Sequence, residues 1–164
     1  MRLSNFILTI YLLSSLQGIA QTEENNDITL ALQIHNEARE ELGLEALTWS
    51  EELAMEAEIY AKKLAKTNRF EHCKVTTHGE NLYWYSATHV FPFAEASQVW
   101  YDEISEYKYR KCCGPKFSKT GHYTQMIWHK TTEVGIGVAV SAKGATYVVA
   151  RYTPPGNYTG QFPY

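Results

Sequence analysis

"EVGIGVAVSAKGATYVVARYT" (Glu133–Thr153) reads as two strands and a turn. In its first half Val134, Ile136, Val138 and Val140 alternate with Gly135, Gly137, Ala139 and Ser141. That period of two sends successive side chains to opposite faces of a sheet. The turn falls at Lys143-Gly144, and "ATYVVARYT" returns as the pairing strand. Large side chains on one face and small ones on the other predict a sheet covered on both sides, with a helix packed closely on the Gly/Ala face.

The helices that would cover it lie upstream. Asp27 is placed to cap a helix beginning at Ile28, in which Ile28, Leu32, His35, Arg39 and Leu42 share one face and Gly43 makes the stop. Thr48 and Glu51 form a capping-box pattern before a second helix. Its buried stripe is Leu53, Ala57, Tyr60, Ala61 and Leu64, and it ends near Asn68. "ENLYWYS" (Glu80–Ser86) is a short strand within a His- and aromatic-rich loop region. Pro92 precedes a third helix over Phe93 to Tyr107, with Ala96, Trp100, Glu103, Ile104 and Tyr107 on one side. A carboxylate among such neighbours should be paired or hydrogen-bonded.

Residues 1–20 read as a secretory signal peptide. Arg2 supplies the positive end, "FILTIYLLSSL" the apolar run, and "GIA" the small residues before the cut. The run is too short to span a bilayer, and no later segment is apolar enough to do so, so no stable membrane span is expected. The chain of 164 residues is then one domain over 21–164, with a polar leader over 21–27 and an extended tail over 154–164. Eighteen acids against fifteen bases, with no basic patch interleaved with aromatics, exclude nucleic acid as a natural partner. Of the three cysteines, Cys73 with Cys112 or Cys113 is the expected disulfide, since a bridge between adjacent residues is strained. One thiol is left over. "NYT" at Asn157 is a glycosylation sequon.

The chemistry-bearing stretch is "GHYTQMIWHKTT" (Gly121–Thr132). His122 opens a short helix, where the positive helix end favours neutral imidazole. Tyr123, Met126, Ile127 and Trp128 should anchor that helix in the core, and His129 should face solvent. Elsewhere His35 reads as a packing or hydrogen-bonding residue of its helix, and His78 and His89 as loop-exposed. Ser118 precedes His122 in a loop, but no acid is placed to complete a triad.

"GHYTQMIWHKT" resembles the signature of the CAP superfamily (cysteine-rich secretory proteins, antigen 5 and pathogenesis-related proteins). "HNEAR" at 35–39, "GENL" at 79–82 and "YVVARYTPPGNY" at 147–158 follow that family's order. "VVARY" and the low cysteine count are most similar to its Golgi-associated, plant pathogenesis-related-like branch. The tail "PPGNYTGQFPY" is similar to a peptide that plant members release as a defence signal, although Ala150 stands where those members have a cysteine. The resemblance implies an α/β fold, a three-layer α-β-α sandwich around a small, mainly antiparallel sheet. It also implies a central cavity lined by His72, Glu80, Glu103 and His122. Two imidazoles and two carboxylates suit zinc or, less tightly, magnesium. Two histidines are few for a catalytic zinc, which usually has three protein ligands. The resemblance further implies a secreted, extracellular binding or effector protein and not an enzyme. Its partners would be a sterol or fatty acid in an apolar groove, with an extracellular protein partner or a released tail as the alternative and metal-dependent hydrolysis as the least favoured reading. Tyr83, Trp84, Tyr85, Phe91, Phe93, Trp100, Tyr107 and Tyr109 offer aromatic lining for such a groove.

Overall fold

The computed structural model describes residues 3–114 and 117–164, with side chains from residue 21 onward except that of Ser118. Of the expected signal peptide, residues 1 and 2 lie outside the described residues. Four strands form one sheet in the order β1-β3-β4-β2: β1 (Thr48–Trp49), β2 (Gly79–Tyr85), β3 (Glu133–Val140) and β4 (Thr146–Thr153). β1 runs parallel to β3, and the other two pairings are antiparallel. The expected turn closes the hairpin, with Gly144 in the left-handed region at φ 82° and its N–H on Ser141 O.

The two faces of β3 and β4 behave as their alternation requires. The large-residue face carries Val134, Ile136, Val148, Ala150 and Tyr152 into a core with Ala31, Phe93, Trp100 and Met126. That core is covered by α1 (Leu3–Glu40), α3 (Pro92–Asp102) and α4 (Gly121–Met126). The opposite face takes α2 (Glu51–Thr67) alone. There the absence of side chains is what allows contact. A Cβ on Gly135 would fall 2.3 Å from Ala54 N, and one on Gly137 2.1 Å from Glu58 N. The helix backbone therefore rests on the strand backbone, closer than any larger residue permits.

Several local expectations are corrected. α1 does not begin at Ile28; it runs unbroken through that point, so Asp27 is not its cap. Asp27 is buried and accepts instead from Phe93 N (2.9 Å) and Ala94 N (2.8 Å), the first free amides of α3. α2 is capped by Ser50, which accepts from Leu53 N, because Thr48 is committed to β1. The third helix turns into a 3-10 segment at Glu103–Glu106 and does not reach Tyr107 as α-helix. Gly43 does stop α1: it has φ 68°, its N–H reaches Glu40 O, and Leu44 N reaches Arg39 O, the paired bonds of a Schellman motif.

The disulfide expectation is also overturned. Cys112 and Cys113 are bonded to each other, and Cys73 is a free thiol. The reason is placement. Cys73 packs against the α2-side core with its N–H on Glu80. Cys112 is tied to the tail, its N–H on Gln161 O at 2.7 Å and its carbonyl accepting from Gly160 N.

Candidate functional site

The four residues expected to line a central cavity stand as two separate His–carboxylate pairs. In the first, His72 Nδ1 stands 2.5 Å from Glu80 Oε1. Glu80 lies on β2 directly opposite Arg151 on β4, and that guanidinium pairs with its other oxygen at 2.6 Å. Both charged groups are buried, while the His72 ring is exposed. Arg151 also lies over the Tyr60 ring, 5.2 Å from its centroid. Burial, and then the Glu80 charge, push the Tyr60 hydroxyl up to about 12, and it donates to Glu71 O.

In the second pair His122 Nδ1 stands 2.7 Å from Glu103 Oε1. The other oxygen of Glu103 accepts from His122 N (2.9 Å) and Tyr123 N (3.1 Å). Thr120, the residue preceding α4, makes no side-chain cap bond. Glu103 thus caps α4 from another element, as Asp27 caps α3. A negative group at a helix N-terminus meets unpaired N–H groups and the positive end of the dipole.

A buried polar chain joins this pair to the core. His35 Nδ1 donates to Ala31 O at 2.8 Å, so its Nε2 must accept from the Tyr152 hydroxyl, also at 2.8 Å. Asn81 Nδ2 donates both to Tyr152 Oη and to His122 O, each at 3.1 Å. Complete burial, reinforced by the Arg39 charge, pushes the His35 imidazole down to about 4. Burial alone drives the Tyr152 hydroxyl far above its usual range. His35 therefore fills the hydrogen-bonding role expected of it.

Arg39 has a larger role than its sequence position suggests. It is buried and faces carbonyls on every side: Glu45 O, Met126 O, Trp128 O and Thr131 O, at 2.7–3.0 Å. Burial lowers its guanidinium to about 10. Asp27, Ala31, His35 and Arg39 recur every four residues on α1, three polar side chains and one alanine in a single buried stripe. That period was the available signal for Asp27, whereas Asn81 and Tyr152 had only their places in the motifs at 79–82 and 147–158.

Among the remaining histidines, His129 is exposed and bonds Pro163 O, His78 lies 3.5 Å from Glu56, and His89 packs on Tyr85 at 4.2 Å, half-buried where exposure was expected. The tail is woven into the body. Gly156 N donates to Gln125 Oε1, Asn157 Nδ2 donates to Gly121 O, and Asn157 Oδ1 accepts from Thr124 Oγ1.

Two of the cavities that border α2 are wide open to solvent. The larger, about 620 Å³, lies where α2 stops and the sheet continues; Leu82, Ala145 and Tyr147 floor it, with Phe70, Tyr83 and Trp84 at its sides. The second, about 280 Å³, adjoins the Glu80–Arg151 pair. Phe93 and Trp100 are buried in the core and line neither cavity.

A family model for the cysteine-rich secretory protein family (CAP) matches residues 32–152. The chain is 37% identical over 134 residues to Golgi-associated plant pathogenesis-related protein 1 of Homo sapiens, covering 79% of this chain and 84% of that one. It is 33% identical over 163 residues to pathogenesis-related protein 1A of Nicotiana tabacum, covering 99% and 96%. Among solved structures, NaASP2 with Zn2+ superposes with a TM-score of 0.72 at 27% identity over 83% of each chain. MpPR-1i, at 17% identity and a TM-score of 0.58, shares the fold.

Proposed function

The chain belongs to the cysteine-rich secretory protein (CAP) family, and on that footing we propose that it is a secreted binding or effector protein that takes a sterol or fatty acid in the groove beyond α2. The observation that carries this reading is the uncovered strip of sheet. Asn68 turns left-handed at φ 50° and ends α2, while β2 and β4 run on. The exposed strip has an apolar floor, flanked by Phe70 (54% exposed) and Trp84 (45% exposed), with Asn68, Ser86 and Lys143 supplying polar groups. Its volume of about 620 Å³ lies within the usual range of small-molecule sites. An apolar body on the floor and a hydroxyl or carboxylate at the polar groups satisfy both kinds of surface. Labelled cholesterol and palmitate, each titrated against the wild type and Trp84→Ala, test this. Binding of either one, weakened by the substitution, supports it; failure of both to bind the wild type removes it.

The alternative is defence or immune signalling by contact with an extracellular protein. The bonds holding residues 156–163 favour contact by the intact fold over release of the tail. Mass spectrometry of the secreted protein distinguishes the two by whether Pro154 onward is missing.

Metal-dependent hydrolysis has weaker support. Each pair fixes a histidine through Nδ1, the outer-shell arrangement common around metal-bound imidazole, and the NaASP2 crystal structure is one with Zn2+. His72 and His122 would be the nitrogen ligands for zinc or magnesium, with Glu80 and Glu103 orienting them. Such an ion would supply Lewis acidity. Among the described residues, however, no three His, Cys, Asp or Glu side chains are grouped to hold it, and catalytic zinc normally has three protein ligands. Zinc titration against the His72→Ala, His122→Ala double variant tests binding itself: equal uptake by both proteins excludes this pair as a site.

A further inference from the structure

The second cavity flanking α2 is built differently from the lipid groove and does not depend on it. Glu56, Ile59, Tyr60 and Lys63 form one stripe of α2 along its wall; Cys73, Val75 and Thr76 face them, and Arg151 closes the base. Cys73 is the one cysteine without a disulfide partner, and it is half-buried at this wall. Arg151 is 3% exposed, and its Nε has no hydrogen-bond partner although the residue lines the pocket. Lys63 makes no ion pair among the described residues and rests over the Tyr60 ring at 5.6 Å. Glu56, at the other end of the stripe, lies 3.5 Å from the His78 ring. Glu56 and Lys63 are seven residues apart, about 10.5 Å along a helix. The cavity thus offers an anionic end, a cationic end and a thiol on the facing wall, above an arginine paired with Glu80.

We infer that this pocket is a site of mixed-disulfide formation at Cys73 with a small peptide disulfide of the glutathione type. Such a molecule carries an ammonium group beside a carboxylate at one end, a second carboxylate at the other and the reacting sulfur between. Glu56 meets the ammonium, Lys63 the terminal carboxylate, and Ile59 and Val75 border the chain between them. In the exchange, the Cys73 sulfur attacks one sulfur of the disulfide. The new S–S bond forms as the old one breaks, Cys73 is oxidised, and the departing half is reduced and leaves as a thiol carrying the proton from Cys73. No other oxidant is needed.

The test uses the full-length protein with Cys112–Cys113 intact. It is incubated in parallel with glutathione disulfide and with hydroxyethyl disulfide, which has the same reactive bond but no charge. Intact mass and peptide mapping follow adduct formation at Cys73. The expected result is faster modification by glutathione disulfide, with the rate ratio falling roughly five-fold in Lys63→Ala, the factor given by one charge pair near 4 Å in water. Lys63 is exposed, so this variant should fold, and hydroxyethyl disulfide on the same variant reports any general change in thiol access. The inference is overturned if the wild-type ratio is no greater than one, if Lys63→Ala leaves the ratio unchanged, or if the adduct forms at Cys112 or Cys113 in place of Cys73.

Discussion

Acid should destabilise this protein through His35, and the size of the effect follows from its surroundings. In the native state both ring nitrogens are committed: Nδ1 donates to Ala31 O and Nε2 accepts from Tyr152 Oη. A proton on Nε2 would turn the acceptor into a donor facing a hydroxyl that already accepts from Asn81. Complete burial adds the cost of an uncompensated charge. The native imidazole therefore titrates at about 4, against 6.5 when unfolded. Between those values the unfolded chain binds a proton that the folded chain does not, so stability falls as pH falls. At roughly 1.4 kcal/mol per pH unit, the loss approaches about 3 kcal/mol by pH 4. The contribution is fully present above pH 6.5. Urea denaturation followed by tryptophan fluorescence, from about pH 7 to about pH 4.5, measures this in the wild type and in His35→Gln. The variant should start lower by about 1–3 kcal/mol, since it disturbs a buried bond pair. Its further loss on acidification should be smaller than the wild type's by about 2–3 kcal/mol. The carboxylates, including Asp27, titrate in both proteins and cancel. Parallel pH curves would refute the argument.

Three further outcomes are expected. Gly137→Ala should cost about 3 kcal/mol or more, because its Cβ would meet the Glu58 backbone and not a movable side chain; Gly114→Ala, with nothing within 4 Å, is the neutral control in the same urea titration. Arg39→Lys should lose about 2–4 kcal/mol and about 5–10 °C in Tm by circular dichroism, since one ammonium cannot reach four carbonyls that the guanidinium fork joins. Asp27→Ala should cost about 1–2 kcal/mol in urea by uncapping α3, even though residue 27 lies inside α1.

What was legible in the sequence was whatever has a short period. The alternation in β3 gave the sheet, its two faces and the close contact of α2 on Gly135 and Gly137. The helical stripe Leu53, Ala57, Tyr60, Ala61, Leu64 is buried as read. What failed was long-range choice among local options. Asp27 before Ile28 satisfies every local rule for a helix cap, yet its carboxylate serves amides 66 and 67 residues away. Thr48 had the right spacing to Glu51 but was claimed by β3. Cysteine pairing depended on which wall each thiol occupies. The resemblance implied a set of four residues; in the structure they stand two by two, each histidine with its own carboxylate.

The stretch Gly121–Met126 shows why those pairs matter to folding as well as to any ligand. A six-residue helix cannot stand alone, because nucleation costs more than so few bonds return. Each of its ends is held from outside. At the N-terminus Glu103 takes two amides and the ring of His122; at the C-terminus Arg39 takes the carbonyls of Met126 and Trp128. An acid at the positive end and a base at the negative end complement the dipole. Asn157 from the tail binds Gly121 O and Thr124, and Asn81 from β2 binds His122 O. Four separated parts of the chain thus converge on one turn and a half of helix. His122 is aimed by this scaffold and not by its own helix, so the orientation of the candidate site depends on α1, β2, the 3-10 segment and the tail all being in place. Removing the tail should therefore disturb His122 through Gly121 and Thr124, which ties the integrity of the site to the intact chain.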